Sequence, residues 1–328
     1  MLELLNLPLI FAPLLLMPVG LVLLIYGGNW TIDAAIYIAR KYGMSPLLVG
    51  FTIIAFGTSF PELMVSLLAN MDGSGGIALG NVIGSNIANI LLIMGVTGAL
   101  VPFALMGDLR SMRNDFLMML GSVLILIGVL LDGEIARAEG IGMLVILCGY
   151  LGFQYVMVCK GAASSSFEAE EIPAFPSLGK AFLFLFLGLC VIASGAKVLV
   201  EGAEGTAQLL GVPDAIIALS IIAFGTSLPE LSTCLIALRK GHGDMALGNV
   251  LGSNVLNIML IVGLTTLIKP IAQGSFAPQL VSFDIWVMLG VSVAFTALIV
   301  LAKRMNRLTG VLFFLAYAAY TVYIYMVS

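Results

Sequence analysis

Two glutamates stand among apolar residues, each preceded by the same hydroxyl-bearing turn. Ala55-Phe-Gly-Thr-Ser-Phe-Pro-Glu-Leu63 returns as Ala223-Phe-Gly-Thr-Ser-Leu-Pro-Glu-Leu231, displaced by 168 positions with one difference, Phe60 against Leu228. A carboxylate at membrane depth costs about 2.5–3.5 kcal/mol on insertion scales, so Glu62 and Glu230 read as functional groups. Thr58 and Ser59 precede Glu62 by four and three residues, and Thr226 and Ser227 precede Glu230 in the same way. That spacing puts hydroxyls and carboxylate on one helical face. Pro61 and Pro229 lack an N–H, and their rings clash with the carbonyl four residues back. Each is expected to break its helix near Gly57 or Gly225 and to release carbonyl oxygens. Unpaired backbone groups at that depth persist only inside protein or against a wet cavity. Carboxylate, hydroxyl and carbonyl oxygens are hard ligands, the set calcium takes, about six to eight of them at about 2.3–2.6 Å.

A second block follows the first at unchanged displacement, Gly80-Asn-Val-Ile-Gly-Ser-Asn-Ile-Ala-Asn-Ile90 and Gly248-Asn-Val-Leu-Gly-Ser-Asn-Val-Leu-Asn-Ile258. Asn81, Ser85 and Asn89 form a polar stripe at i, i+4, i+8, repeated by Asn249, Ser253 and Asn257. Gly80, Gly84, Gly248 and Gly252 are expected to let helices touch along their backbones. Asn86 and Asn254 face elsewhere and read as interhelical hydrogen-bonding residues. Ser66 and Cys234, one turn past the glutamates, read as packing positions.

The elements that position these groups must cross a bilayer. Of 328 residues, 61% are hydrophobic and 10% charged, against roughly 25% charged in soluble domains. Ten runs reach the length of a span, at 7–28, 36–70, 77–101, 113–131, 139–159, 179–200, 210–238, 245–268, 282–302 and 308–327. The second and seventh are too long for simple spans and carry the Gly-Thr-Ser-x-Pro-Glu block near their middles. Between the halves, Gly161 to Ser177 is small, polar and acidic, with two prolines, and reads as a cytoplasmic linker. Eleven Lys and Arg fall on one side of a ten-span arrangement and three, Arg137, Lys197 and Lys269, on the other. Basic residues favour cytoplasmic loops, which places both termini on the non-cytoplasmic side. Five spans per half is odd, so the second half enters in the opposite sense. The expected fold is therefore an all-α integral membrane protein of ten transmembrane helices. Residues 1–160 and 178–328 form two inverted five-helix repeats with broken second and seventh helices, joined by linker 161–177. Inverted repeats with discontinuous helices at their interface are the recurrent plan of secondary transporters.

Other classes fit less well. A basic surface for nucleic acid is missing beyond Lys303-Arg304 with Arg307. A single histidine in a loop and no H-e-x-x-H pattern leave a zinc enzyme without ligands. No resident cofactor or enzymatic activity is expected. Cys148, Cys159, Cys190 and Cys234 never pair as C-x-x-C and read as buried thiols. The amino terminus has an acidic residue where a signal peptide needs basic ones, so the first apolar segment reads as retained.

The doubled blocks, about 35 residues in each half, resemble the two alpha-repeats of the cation/calcium antiporter superfamily, in particular prokaryotic sodium/calcium exchangers. The resemblance implies antiport of calcium against sodium in the cell (inner) membrane by a chain that works as a monomer. It implies that Glu62 and Glu230 are ligands shared between calcium and sodium, with oxygens added by Thr58, Ser59, Thr226 and Ser227. Carbonyls of Ala55 and Ala223 are implied sodium ligands, Ser85 and Ser253 serve inner and outer sites, and Asn89 and Asn257 take the middle position. Several relatives, including potassium-dependent ones, carry aspartate where Asn257 stands, which leans the expectation toward potassium-independent exchange. Proton-coupled or potassium-dependent calcium antiport, or a cation channel, remain as alternatives. By the family pattern the first and sixth helices slide across the rest, with Asp33 and Glu201 just outside them as caps or ion-entry residues.

Overall fold

The computed structural model describes residues 12–105, 109–159, 175–209 and 225–327. In hydrocarbon every backbone N–H and C=O must find its partner within its own segment, so the apolar runs become helices. In chain order these are α1 (Ala12–Tyr42), α2 (Pro46–Thr58), α3 (Phe60–Met71), α4 (Gly75–Leu100), α5 (Leu109–Val129), α6 (Arg137–Cys159), α7 (Leu178–Leu209), α8 (Leu228–Arg239), α9 (Gly243–Ile268), α10 (Leu280–Ala302) and α11 (Arg307–Val327). Two-residue strands β1 (Phe103–Ala104) and β2 (Arg304–Met305) pair antiparallel and tie two loops together. Among the described residues, eight helices are long and apolar enough to cross a membrane, and α2 with α3 makes a ninth, bent by 46°. The expected seventh span falls partly on 210–224, outside the described residues, as do Ala223 and most of the linker.

Two helix boundaries differ from the sequence expectation. α1 is unbroken to Tyr42 and α7 to Leu209, where breaks were expected after 28 and 200. Asn29 and Thr31 do not end α1, because each turns its polar group back onto a carbonyl one turn earlier, Ile25 at 2.9 Å and Gly27 at 2.8 Å. Asp33 and Glu201 consequently lie inside their helices and cap nothing. Asp33 accepts from Lys240 Nζ at 2.5 Å, and Glu201 stands 3.8 Å from Lys197.

α1 and α7 pack chiefly against each other. Gly20 and Gly27 on α1, and Gly188, Gly195 and Gly202 on α7, recur every seven residues, the spacing that keeps one stripe facing a partner helix. A Cβ on Gly20 would lie 2.8 Å from the Gly195 carbonyl, and one on Gly195 would lie 3.0 Å from the Gly20 carbonyl. Gly27 and Gly188 stand in the same mutual relation, at 2.8 and 2.9 Å. Gly20 and Gly188, like Gly27 and Gly195, are separated by the 168 positions of the repeat.

α4 and α9 are the most enclosed spans, and α6 and α11 the least. α9 presses directly on α2: a Cβ on Gly248 would meet the Leu47 carbonyl at 2.1 Å, and one on Gly252 the Phe51 carbonyl at 2.2 Å. The expected close approach holds there. At Gly80 and Gly84 no described backbone lies within 4 Å of such a Cβ, and the repeat register matches them to segment 215–219, outside the described residues. Three of the four cysteines, Cys148, Cys159 and Cys190, are exposed rather than buried. They lie on α6 and α7, where hydrocarbon is as good a solvent for a thiol as a protein core.

Candidate cation site

The site is built at the break between α2 and α3 and at its counterpart before α8. The chain turns at Ser59 (φ −82°, ψ 5°) and at Ser227 (φ −86°, ψ 0°), two residues later than the glycines expected from sequence. The reason is that Pro61 and Pro229 take the second position of α3 and α8, where a missing N–H costs nothing. Gly57 stays helical against Leu189, whose Cδ1 would lie 2.4 Å from an added Cβ. Glu62 and Glu230 then fall in the first turns of α3 and α8. The positive end of each helix dipole favours a carboxylate there.

Both glutamates are buried, at 2% and 1% exposure. Each keeps one carboxylate oxygen, Oε2, with no hydrogen-bond partner, although a buried polar atom is almost always satisfied. Ser253 Oγ and Asn257 Oδ1 are likewise buried and unpartnered.

Hydrogen bonds join the two halves at this point. Ser59, a residue type that ordinarily caps its own helix, makes no cap bond and donates from Oγ to Glu230 Oε1 at 3.3 Å. Thr58 Oγ1 donates to Asn249 Oδ1 at 3.5 Å. Asn89 Nδ2 donates to Asn254 Oδ1 at 3.1 Å. Thr58, Ser59, Ser85, Ser227, Ser253, Asn89 and Asn257 are all buried, and Thr226 is half-buried. The Ala55 carbonyl already accepts from Ser59 N at 2.9 Å and Thr58 Oγ1 at 3.4 Å. Ala223 lies outside the described residues.

The polar stripes divide in two. Asn81 is spent on helix contact, donating to the Glu62 carbonyl at 3.2 Å and to Ser66 Oγ at 2.9 Å. Asn249 likewise donates to Thr233 Oγ1 at 3.0 Å and Cys234 Sγ at 3.3 Å. Ser66 and Cys234 thus fasten α4 and α9 to the helices that carry the glutamates. Asn254 bonds between helices as expected, whereas Asn86 turns to its own Val82 carbonyl at 2.8 Å.

Sequence reasoning missed the wide turns. α4 widens to a π-helix over Asn89–Ile93 and α9 over Asn257–Val262, each beginning at the asparagine assigned to the middle position. π-Bulges accumulate at functional sites because the extra residue re-aims a side chain. Recurrence of the same asparagine in both repeats was the only available signal, and it says nothing of helix width. Two further buried acids, Asp115 and Asp284, were also missed.

A sequence model of the family described as sodium/calcium exchanger protein matches residues 12–156 and 180–326. The chain is 36% identical to a putative antiporter, CaxA, of Alkalimonas amylolytica, across 92% of this chain and 95% of that one. It is 32% identical to the sodium/calcium exchanger MaX1 of Methanosarcina acetivorans, across 95% and 98%. Its fold matches that of the sodium-calcium exchanger NCX_Mj, soaked with zero Na+ and Ca2+, with a TM-score of 0.79 at 29% identity, across 94% and 97% of the two chains. Matched over both halves, this integral membrane chain belongs to the sodium/calcium exchanger family.

Proposed function

We propose that this protein exchanges calcium for sodium by alternating access, at one site shared by Glu62 and Glu230. The observation that carries this reading is that four of the six buried side-chain oxygens without partners among the described residues, Glu62 Oε2, Glu230 Oε2, Ser253 Oγ and Asn257 Oδ1, belong to expected ligands, the other two being Asn86 Oδ1 and Thr265 Oγ1. Oxygens left bare in a protein interior are costly unless a cation completes them. Thr58, Ser59, Thr226, Ser227, Ser85 and Asn89, with the carbonyls of Ala55 and Ala223, complete the proposed ligand set. The family membership, and the similarity to the sodium/calcium exchangers MaX1 and NCX_Mj, support calcium and sodium as the cargo.

Two carboxylates without cations place about two negative charges in the membrane interior, a penalty of several kcal/mol. The empty site therefore does not cross. One calcium ion neutralises the pair, and two or three sodium ions neutralise or slightly overshoot it, so either load permits rearrangement and flux is obligatorily coupled. Asn257 supplies an amide rather than a third carboxylate, which favours potassium-independent exchange.

The proposed frame is ten spans in two inverted halves, 1–160 and 178–328, joined by a cytoplasmic linker, with both termini on the non-cytoplasmic side. The mutual contacts of Gly20 with Gly195 and of Gly27 with Gly188 support it. Matched residues that touch each other's partners reciprocally are the mark of a two-fold relation. The α1–α7 pair, more strongly joined to itself than to the rest, is the proposed moving unit.

The test is calcium uptake into proteoliposomes under imposed sodium, potassium or proton gradients. Uptake is expected with the sodium gradient alone. Glu62→Gln and Glu230→Gln are each expected to lower it at least about 100-fold, about 2.7 kcal/mol of lost stabilisation. Wild-type rates in either variant, or uptake indifferent to sodium, overturn the reading.

A further inference from the structure

Away from the cation site, α5 and α6 hold a second polar group in apolar surroundings. Asp115, in the second turn of α5, is 2% exposed. Tyr150 Oη donates to its Oδ1, and Gln154 Nε2 donates to the same oxygen at 2.5 Å and to Tyr150 Oη at 2.8 Å. Among the described residues no cation pairs with Asp115, and Arg113, two residues before it, is exposed. Tyr150 is, among the described residues, the titratable group bonded to Asp115. α2 presents Phe51, whose ring lies 5.6 Å from that of Tyr150. α10 presents Phe295 against Phe116 at 6.4 Å, and α9 presents Asn254 to Met119 Sδ at 3.8 Å. Tyr155 of α6 is 71% exposed, while Asp244 and Asp284 stand at the starts of α9 and α10.

A buried carboxyl with two donors and no counter-cation has one small ligand that suits it. We propose that Asp115, Tyr150 and Gln154 form a proton-binding site separate from the cation site, and that its occupancy is transmitted to Ser253 through Phe51. The geometry serves both states. As a carboxylate, Asp115 accepts from Tyr150 and Gln154. As an acid protonated on Oδ2, it still accepts at Oδ1 from Tyr150 and Gln154. The proton comes from and returns to solvent, and no other bond changes.

The route to the cation site is short and made of rigid parts. The Tyr150 ring packs on Phe51, and the Phe51 backbone presses on Gly252, where an added Cβ would lie 2.6 Å from Phe51 Cα. Gly252 precedes Ser253, whose hydroxyl is one of the bare oxygens. A change in the charge of Asp115 alters how strongly Tyr150 is held, and Tyr150 is part of the wall behind Phe51. A related pair occurs in the second half, where Tyr320 Oη donates to buried Asp284 at 3.0 Å. There Ile324 stands four residues after the tyrosine, in the place of Gln154, and its side chain carries no donor.

Proton binding is read by difference infrared spectroscopy of the full chain in lipid, titrated from acid to neutral pH. Sodium-driven calcium uptake is followed over the same range. Asp115→Asn is expected to lose one titrating carboxylic-acid band and one inflection of the uptake profile. Tyr150→Phe is expected to keep that band but displace its titration by about one pH unit, the size of effect expected when a hydrogen bond to a charged group is lost. The same titrating bands in Asp115→Asn as in the wild type overturn the site. If that variant does not fold, an unmoved titration in Tyr150→Phe overturns it instead. A lost band with an unchanged uptake profile overturns the coupling to Ser253. The coupling rests on the exchange reading, whereas the infrared result does not: a wild type without uptake sinks the former and still decides the latter.

Discussion

The α1–α7 seam and the cation site are assembled from the same two halves, and they use the halves differently. In the seam, equivalent glycines perform equivalent tasks: Gly20 meets Gly195 as Gly27 meets Gly188. At the site the equivalents have parted. Asn81 ties α4 to the Glu62 carbonyl and Ser66, while Asn249 ties α9 to Thr233 and Cys234 and also accepts from Thr58. Thr233 itself stands where the first half has Val65. A backbone seam asks only that no side chain be present, and glycine meets that demand equally from either side. A donor set asks each oxygen to aim at a common point, and each half can reach that aim through different supporting bonds.

The comparison breaks most visibly at the seam. A Cβ on Gly27 would lie 2.8 Å from the Gly188 carbonyl oxygen and the Ile192 nitrogen, and one on Gly195 would lie 2.8 Å from Leu23 Cβ and 2.9 Å from the Leu24 nitrogen. Backbone atoms cannot rotate away, so the helices must separate. Gly27→Ala and Gly195→Ala are each expected to cost about 1–3 kcal/mol, the range for overpacking. Thermal unfolding in detergent measures this. The two losses should match within about 0.5 kcal/mol, the scatter of independent sites. A full loss at one position and none at the other means that the seam is not shared two-fold.

The same contrast shows what was legible in the chain beforehand. Glu62 and Glu230 announced themselves because a charged group inside an apolar run has few innocent explanations, and the prolines placed a break within two residues of where it falls. The break settled at Ser59 and not Gly57 because Pro61 is tolerated near a helix start, a preference that acts over the whole first turn. The length of α1 was not legible. Asn29, Thr31 and Asp33 look like the end of a span, but Asn29 and Thr31 bond back onto their own helix, and the glycine seam with α7, a contact across some 170 residues of sequence, holds the helix beyond them. Asp115 escaped notice because one acid near Arg110 and Arg113 reads as a helix end in solvent. Its burial depends on Tyr150 and Gln154, which sequence cannot place beside it.

A smaller effect separates the two asparagines that fasten the site. Asn81→Ala removes donors to a carbonyl and a hydroxyl on one neighbouring helix. Asn249→Ala removes donors to Thr233 and Cys234 and, in addition, the acceptor for Thr58. Polar contacts between membrane helices contribute about 0.6 kcal/mol on average, with a maximum near about 1.7. Asn249→Ala is expected to destabilise by about 1 kcal/mol and to weaken half-saturation by calcium. Asn81→Ala should leave half-saturation nearer the wild type, because Thr58 keeps its partner. Equal shifts in both variants show that the bond from Thr58 to Asn249 contributes nothing, and the two halves are then alike in energy despite their different bonds.

The smallest effect lies one turn past the glutamates. Cys234 is fully buried, accepts from Asn249 at 3.3 Å and stands 3.6 Å from the Ala246 carbonyl. Ser66, its equivalent, accepts from Asn81 at 2.9 Å and stands 3.4 Å from the Ala78 carbonyl. Two different atoms thus occupy the same bonding pattern, with the larger sulfur holding its partners farther away. Cys234→Ser makes the halves alike in type. The hydroxyl is a better acceptor but a shorter one, so the gain in bond strength and the loss of packing oppose each other. The net change in stability is expected to stay within about 0.5 kcal/mol, the range of substitutions that create neither a cavity nor an unpaired group, with sodium-driven uptake close to wild type. A loss of several-fold in uptake without a matching loss in melting temperature assigns Cys234 to the transport step itself, and the divergence between the halves then extends from the supporting bonds into the chemistry they support.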